Sequence, residues 1–393
     1  MTTSGKPKLF LAAIGDVRDV RTWSGIPYHL LEAARAAGVD MTGMPFDLDR
    51  IRSRKALALW SLRRAASFRL PKAYQYSAHF HRAMWGTAET PPSGSILINC
   101  FPAYPDHLLA DKSLSLCVFI DQTLRQLFDY YEQGQIIPTD LQRTILAREA
   151  RTYKRCATIF AQSDWARRSI IDDYGVAADK VHVLLPGANL DARGLEKWEM
   201  LPHTQSAGTR PLRLGFVGKD WERKGLDRLL RGFAIARSRT PDIAMDVIGC
   251  APESLPPTLA RSEGVEWLGF VNKHENPDRF IELVDRFDVG CLLSHREAGG
   301  ISLLEFARLG KPVIAPDTGG APEYTVPGAA TLIKPSDGDE RIADAITTLA
   351  NDQVLARQQT VAWNARHQAD WTRCVTQLMV IRRNILRVDS TML

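Results

Sequence analysis

The feature that most narrows what this chain can fold into is a repeated alternation of short apolar runs with longer stretches of helical periodicity. That pattern belongs to βα units built around parallel sheets. The runs fall at 9–14, 95–99, 114–120, 157–161 and 181–185, then again at 212–217, 244–248, 267–270, 289–293, 312–315 and 331–333. Between the two series, residues 189–211 lose the periodicity and gather Gly, Pro, Ser and Thr, as a linker does. The sequence therefore predicts an α/β chain of two Rossmann-like doubly wound domains, 1–188 and 212–370, facing a central cleft. In such domains ligands collect where loops leave the carboxyl ends of the strands.

Charge is distributed unevenly between the halves. The chain of 393 residues carries 50 Lys and Arg against 45 Asp and Glu. Residues 1–188 hold 24 of the basic and 18 of the acidic side chains, so the first half is at +6 and the second at −1. An overall balance of +5 is too small to predict a nucleic-acid partner. The excess gathers in a stretch free of acids from 51 to 88, where Leu57, Leu59, Trp60 and Leu62 lie beside Arg54, Lys55, Arg63 and Arg64. Residues 51–72 read either as a basic amphipathic helix touching an anionic membrane or as a solvated basic face. Six scattered cysteines form no C-x-x-C pair, and no run of 18 apolar residues occurs, so the expected setting is the cytoplasm, with a peripheral place on the inner membrane face if that helix binds.

The chemistry concentrates in the second half. In HREAGGISLLEFARLGKPVIAPDTGGAPE, 295–323, a strand end passes through Gly299 and Gly300 into a helix over 301–309. Unpaired N–H groups at a helix start, here near Ile301 and Ser302, suit a phosphate or diphosphate. Glu305, one turn inside, is placed to accept paired ribose hydroxyls, and Glu297 either to meet hydroxyls of a second group or to be a solvated carboxylate on a tight turn. Gly218-Lys219-Asp220-Trp221-Glu222-Arg223-Lys224-Gly225 follows the strand at 212–217. Its two lysines can meet one anion, or be solvated charges on a surface loop.

This combination resembles the retaining family-4 glycosyltransferases, glycosyltransferase group 1, of the two-Rossmann GT-B fold. Glu297 and Glu305 match the family's E-x7-E spacing, Lys224-Gly225 its K-G, and Gly310, Pro312, Val313, Ile314, Ala315, Gly319, Gly320, Pro322 and Glu323 its downstream pattern. The resemblance implies transfer of a hexose from a UDP- or GDP-linked sugar to a glycan or lipid-linked acceptor, with retention and in polysaccharide biosynthesis. Lys224, Glu297 and Lys219 are the implied catalytic residues, and Gly218, Lys219, Lys224, Glu297, Gly299, Gly300, Ile301, Ser302 and Glu305 the implied donor site. Lys219 departs from the usual arginine, Gly299 from an aromatic residue and Ser302 from proline. The last two predict a looser pocket wall.

On the acceptor side, Ser24 and Gly25 resemble the family's N-terminal glycine loop. Asp121 is placed either to orient an acceptor hydroxyl or to cap the helix that follows it. Residues 371–393 read as a helix that, by resemblance, crosses back to the first domain. Asp47-Leu48-Asp49 is formally a D-x-D cation motif, but it lies away from the donor residues, and no metal or other cofactor is expected. The competing activity is a sugar-nucleotide 2-epimerase of the same architecture. A binding module without turnover is a third reading.

Overall fold

The structure is a computed structural model that describes residues 7–51, 58, 71–201 and 211–391. The chain divides into two units, Met1–Pro186 with Cys374–Leu393, and Gly187–Arg373. The core of the basic stretch, 52–70, lies outside the described residues except for Ala58.

The first unit is built on six parallel strands: β1 (Leu9–Ala12), β2 (Met41–Gly43), β3 (Ile96–Asn99), β4 (Ser115–Ile120), β5 (Thr158–Ala161) and β6 (Val181–Val183), in the order β2-β1-β3-β4-β5-β6. β3 and β5 are buried along their whole length and β4 over all but its first residue, which is why they appear as continuous apolar runs rather than alternating ones. The edge strand β2, Met-Thr-Gly, has no such run, and the hydrophobic pattern misses it. Helices α1 (Ile26–Ala36), α2 (Leu124–Asp129) and α3 (Thr139–Arg155) belong to this unit.

The second unit repeats the scheme with β7 (Leu212–Val217), β8 (Ile243–Ile248), β9 (Val265–Gly269), β10 (Val289–Cys291), β11 (Val313–Pro316) and β12 (Ala330–Ile333), all parallel in the order β12-β11-β10-β7-β8-β9. Its order reverses between β7 and β10, the switch point at which doubly wound sheets open a crevice for ligands. The stretch expected to be a linker instead carries helix α4 (Ala192–Glu199), capped by the Asp191 carboxylate on the N–H groups of Arg193 and Gly194. Trp198 on α4 is buried and packs against Trp363, which anchors the helix to the second unit. Helices α5 (Leu226–Arg239) and α6 (Ile301–Arg308) follow β7 and β10. Arg308, at the end of α6, is buried and paired with both Glu199 and Asp370.

The last helix, α7 (Trp371–Thr391), starts in the second unit, where Trp371 Nε1 donates to Asn189 Oδ1 at 3.1 Å. From Cys374 onward it belongs to the first unit: Gln377 donates to the carbonyl of Val183, Arg382 donates to that of Pro7, and Val375 and Leu378 are buried. Among the described residues no helix is long and apolar enough to cross a membrane.

Candidate functional site

Three loops at the carboxyl ends of β7, β10 and β9 bring the second unit's charged residues together. The loop after β7 turns at Gly225, whose φ is +70°. A Cβ there would stand 2.0 Å from the carbonyl oxygen of Leu293, and the neighbouring amide of Leu293 donates to the Lys224 carbonyl at 3.2 Å. Only glycine permits both the left-handed backbone and this approach. The K-G pair therefore clamps Lys224 against the end of β10.

Lys224 Nζ donates to Glu297 Oε2 at 2.5 Å, and the same oxygen accepts from Ser294 Oγ at 3.0 Å. The side chains are 16% and 9% exposed, so the pair is largely shielded from water. Arg223 stands 3.9 Å from the same oxygen, while its nearer partner is Asp220 at 3.1 Å. The amide of Gly320 donates to the Glu297 carbonyl at 3.2 Å, which ties the G-G-x-P-E loop to the site.

Gly300 precedes α6 with φ +108°, and among the described residues no side chain caps the helix, so its start presents the positive end of the helix dipole. One turn on, Glu305 is 3% exposed and ion-paired with Lys273. Burial raises the Glu305 pKa, against the opposing charges of Lys273 and Lys224. Lys224 thus acts on both carboxylates of the E-x7-E motif. Lys219 is placed differently: its ammonium lies 4.1 Å from the centroid of the exposed Phe270 ring, a cation–π contact. Among the described residues the two loop lysines have different partners, Phe270 for Lys219 and Glu297 for Lys224.

Two residues here escaped the motif reading. Phe270 ends the predicted run at 267–270 and Lys273 follows three residues on, and that position at a strand end was the available signal. The looser wall expected at Gly299 is also corrected. A Cβ at 299 would lie 2.5 Å from Cζ of Tyr324, a ring that is 2% exposed and occupies the room an aromatic side chain would have taken. Ser302 remains partly exposed on the first turn of α6.

The first unit places its predicted residues around a separate pocket. Trp23 and Ser24 adopt left-handed φ values of 44° and 58°, followed by Gly25 at 85°, just before α1. A non-glycine residue costs roughly 1–2 kcal/mol in that region. The turn is braced by Thr22, whose hydroxyl donates to the Asp16 carbonyl at 2.6 Å. It projects the Trp23 ring into a pocket of about 300 Å³ at the ends of β1, β3 and β4, where Asp121 also lies. Ser24 and Gly25 shape this turn without lining the pocket. Asp121 is not the helix cap: Thr123 caps α2 in a reciprocal capping box with Gln126.

The turn carrying Asp121 is held from behind by Glu149 of α3. This carboxylate is fully buried, accepts from the Leu124 amide at 2.8 Å and from Tyr153 Oη at 2.7 Å, and also bonds the Tyr174 hydroxyl. Burial pushes its pKa up to about 7, although these three donors oppose the shift.

Comparison with known proteins agrees with this geometry. Residues 202–368 match the family described as glycosyl transferases group 1. A D-inositol 3-phosphate glycosyltransferase of Corynebacterium aurimucosum is 27% identical over 233 residues, 56% of this chain and 55% of that protein. A GDP-mannose-dependent alpha-(1-6)-phosphatidylinositol monomannoside mannosyltransferase of Mycolicibacterium smegmatis is 28% identical over 222 residues, 53% of this chain and 56% of that one. The chain thus spans about half the length of the curated relatives it matches. Among solved structures, an alpha,alpha-trehalose 6-phosphate synthase from Burkholderia multivorans has a TM-score of 0.64 at 15% identity, covering 98% of each chain, a likeness of fold. The match to glycosyl transferases group 1 lies in the second unit, over residues 202–368, and the paired doubly wound sheets give the chain a GT-B-like fold.

Proposed function

We propose that the chain is a glycosyltransferase that moves a hexosyl group from a nucleoside diphosphate sugar to a hydroxyl of a glycan or lipid-linked acceptor. The observation that carries this reading is the Lys224–Glu297 pair, shielded from water beside the start of α6. A leaving diphosphate needs positive charge fixed where negative charge develops. Lys224, Lys219 and the first amides of α6 supply it, so the reading requires no divalent cation. Glu305 takes the ribose hydroxyls, and Glu297 meets the sugar once Lys224 turns to the diphosphate.

The resemblance to the retaining family 4 implies retention of anomeric configuration. The bond from the anomeric carbon to the phosphate oxygen breaks, a bond to the acceptor oxygen forms, and the departing phosphate takes the acceptor proton. Relatives named for inositol phosphate and phosphatidylinositol mannoside acceptors support an acceptor carrying a polyol. A UDP- and GDP-sugar panel with product analysis tests the assignment. Release of free nucleotide only in the presence of acceptor supports transfer, whereas a new nucleotide sugar formed without acceptor would establish the epimerase instead.

A further inference from the structure

The loop that leaves β9 does more than connect. β9 is the edge strand of its sheet and α6 follows β10, so a residue of this loop that meets α6 must reach back past the ends of β8 and β7. Two residues make that reach: Phe270 lies over the Lys219 ammonium of the β7 loop, and Lys273 Nζ donates to Glu305 Oε1 on α6. Asn272 fixes the turn between them, its Oδ1 accepting from the His274 amide at 3.2 Å and its carbonyl from the Asn276 amide at 2.9 Å. Lys273 is only 23% exposed and lies 6.0 Å from the ring of the buried Phe280. Glu305 is 3% exposed, and among the described residues its Oε2 has no hydrogen-bond partner. A buried acceptor of that kind calls for a donor.

We infer that Lys273 is a positioning residue of the nucleotide site: by pairing with Oε1 it keeps Glu305 ionised, leaves Oε2 to the ribose hydroxyls, and so makes the site prefer a ribonucleotide to its 2′-deoxy form. An ionised carboxylate only accepts, so vicinal hydroxyls can both donate to it, whereas the protonated acid spends one oxygen on its own proton. Burial raises the Glu305 pKa, and the charges acting against it are Lys273 and Lys224. Lys224 already donates to Glu297 at 2.5 Å and turns to the diphosphate during transfer, which leaves Lys273 as the cation that stays with Glu305. The inference rests on the reading of this site as a nucleoside diphosphate site with Glu305 at the ribose.

The test is isothermal titration calorimetry on the full chain, comparing UDP and GDP with their 2′-deoxy counterparts. The nucleotide that wild type binds is expected to bind roughly 10- to 100-fold more tightly than its deoxy form, the range for one hydrogen bond to a charged group. At neutral pH Lys273→Met should weaken the ribonucleotide roughly 10-fold and the deoxy form little, while Lys273→Arg, which keeps the charge, should hold the ratio within about threefold. The pH below which the preference fails should rise in Lys273→Met, because losing the ammonium raises the pKa of its carboxylate. Compared with Glu305→Gln, the double variant Lys273→Met/Glu305→Gln should lose no further preference, since Lys273 acts only through Glu305. That comparison also decides the matter if Lys273→Met alone does not fold. No preference in wild type, equal weakening of both sugar forms in Lys273→Met as from a merely structural role, or a further loss in the double variant would each overturn the inference alone. No binding of any nucleoside diphosphate to wild type would overturn the donor-site reading with it.

Discussion

Replacing Glu149 by glutamine should stabilise the protein above neutral pH, although the residue is wholly buried and carries three hydrogen bonds. Its pKa of about 7 in the fold compares with 4.5 for the free side chain, so the folded state favours the protonated acid. The sign follows from linkage. The stability tied to that proton is fully present below the unfolded value and is lost as pH rises through the folded one. A shift of this size corresponds to roughly 3 kcal/mol between the two limits. Glutamine has the same shape, keeps an oxygen for the Leu124 amide and the Tyr153 hydroxyl, and turns its NH₂ toward the Tyr174 hydroxyl, which can accept. Thermal unfolding of wild type and Glu149→Gln, followed by circular dichroism from about pH 4.5 to about pH 8, reads the effect. The curves should meet at the acid end and separate upward, the variant melting higher by roughly 6–12 °C near pH 8. A constant offset at every pH, or a variant that melts lower near pH 8, would refute the assignment of a strained carboxylate at this position.

Two further outcomes follow from the second unit. Gly225→Ala must move the loop away from Leu293, at roughly 1–2 kcal/mol for the left-handed backbone alone, and so detach Lys224 from the site. The variant should keep its circular dichroism spectrum and lose its thermal shift with nucleotide sugars; an unchanged shift would show that the clamp is dispensable. Lys273→Met leaves Glu305 buried without its ion-pair partner, at roughly 3–5 kcal/mol. Because burial already raises the Glu305 pKa, the loss should grow as pH rises, and urea unfolding of Lys273→Met and of Lys273→Met/Glu305→Gln should show the double variant recovering most of it.

How far the sequence discloses this molecule depends on whether a property is local. The central strands are legible because burial on both faces demands unbroken apolar runs, and the glycine-to-helix turn at 300 is legible because backbone geometry demands that residue type. Strand β2 escapes, since three edge residues ending in glycine carry no hydrophobic signature. Helix α4 escapes because ARGLEKWE looks solvated until Trp198 finds Trp363. Glu149 lies in a helix crowded with charge, and its burial comes from Tyr174 and Leu124, each 25 residues distant in the chain. The Gly299–Tyr324 contact is of the same kind: two loops compensate each other, and either one alone reads as a defect.

The central claim is that Lys224 and its carboxylates form a donor site, and nucleotide binding tests it most directly. Thermal shift with UDP, GDP and their sugars should raise the melting temperature of the wild type for one nucleotide series, because a ligand bound only to the folded state stabilises by mass action. Lys224→Ala should remove that shift and lower turnover by roughly two or more orders of magnitude, as loss of a group that stabilises transition-state charge does. An equal shift and near-normal turnover in Lys224→Ala, or no shift with any nucleotide in the wild type, would contradict the account.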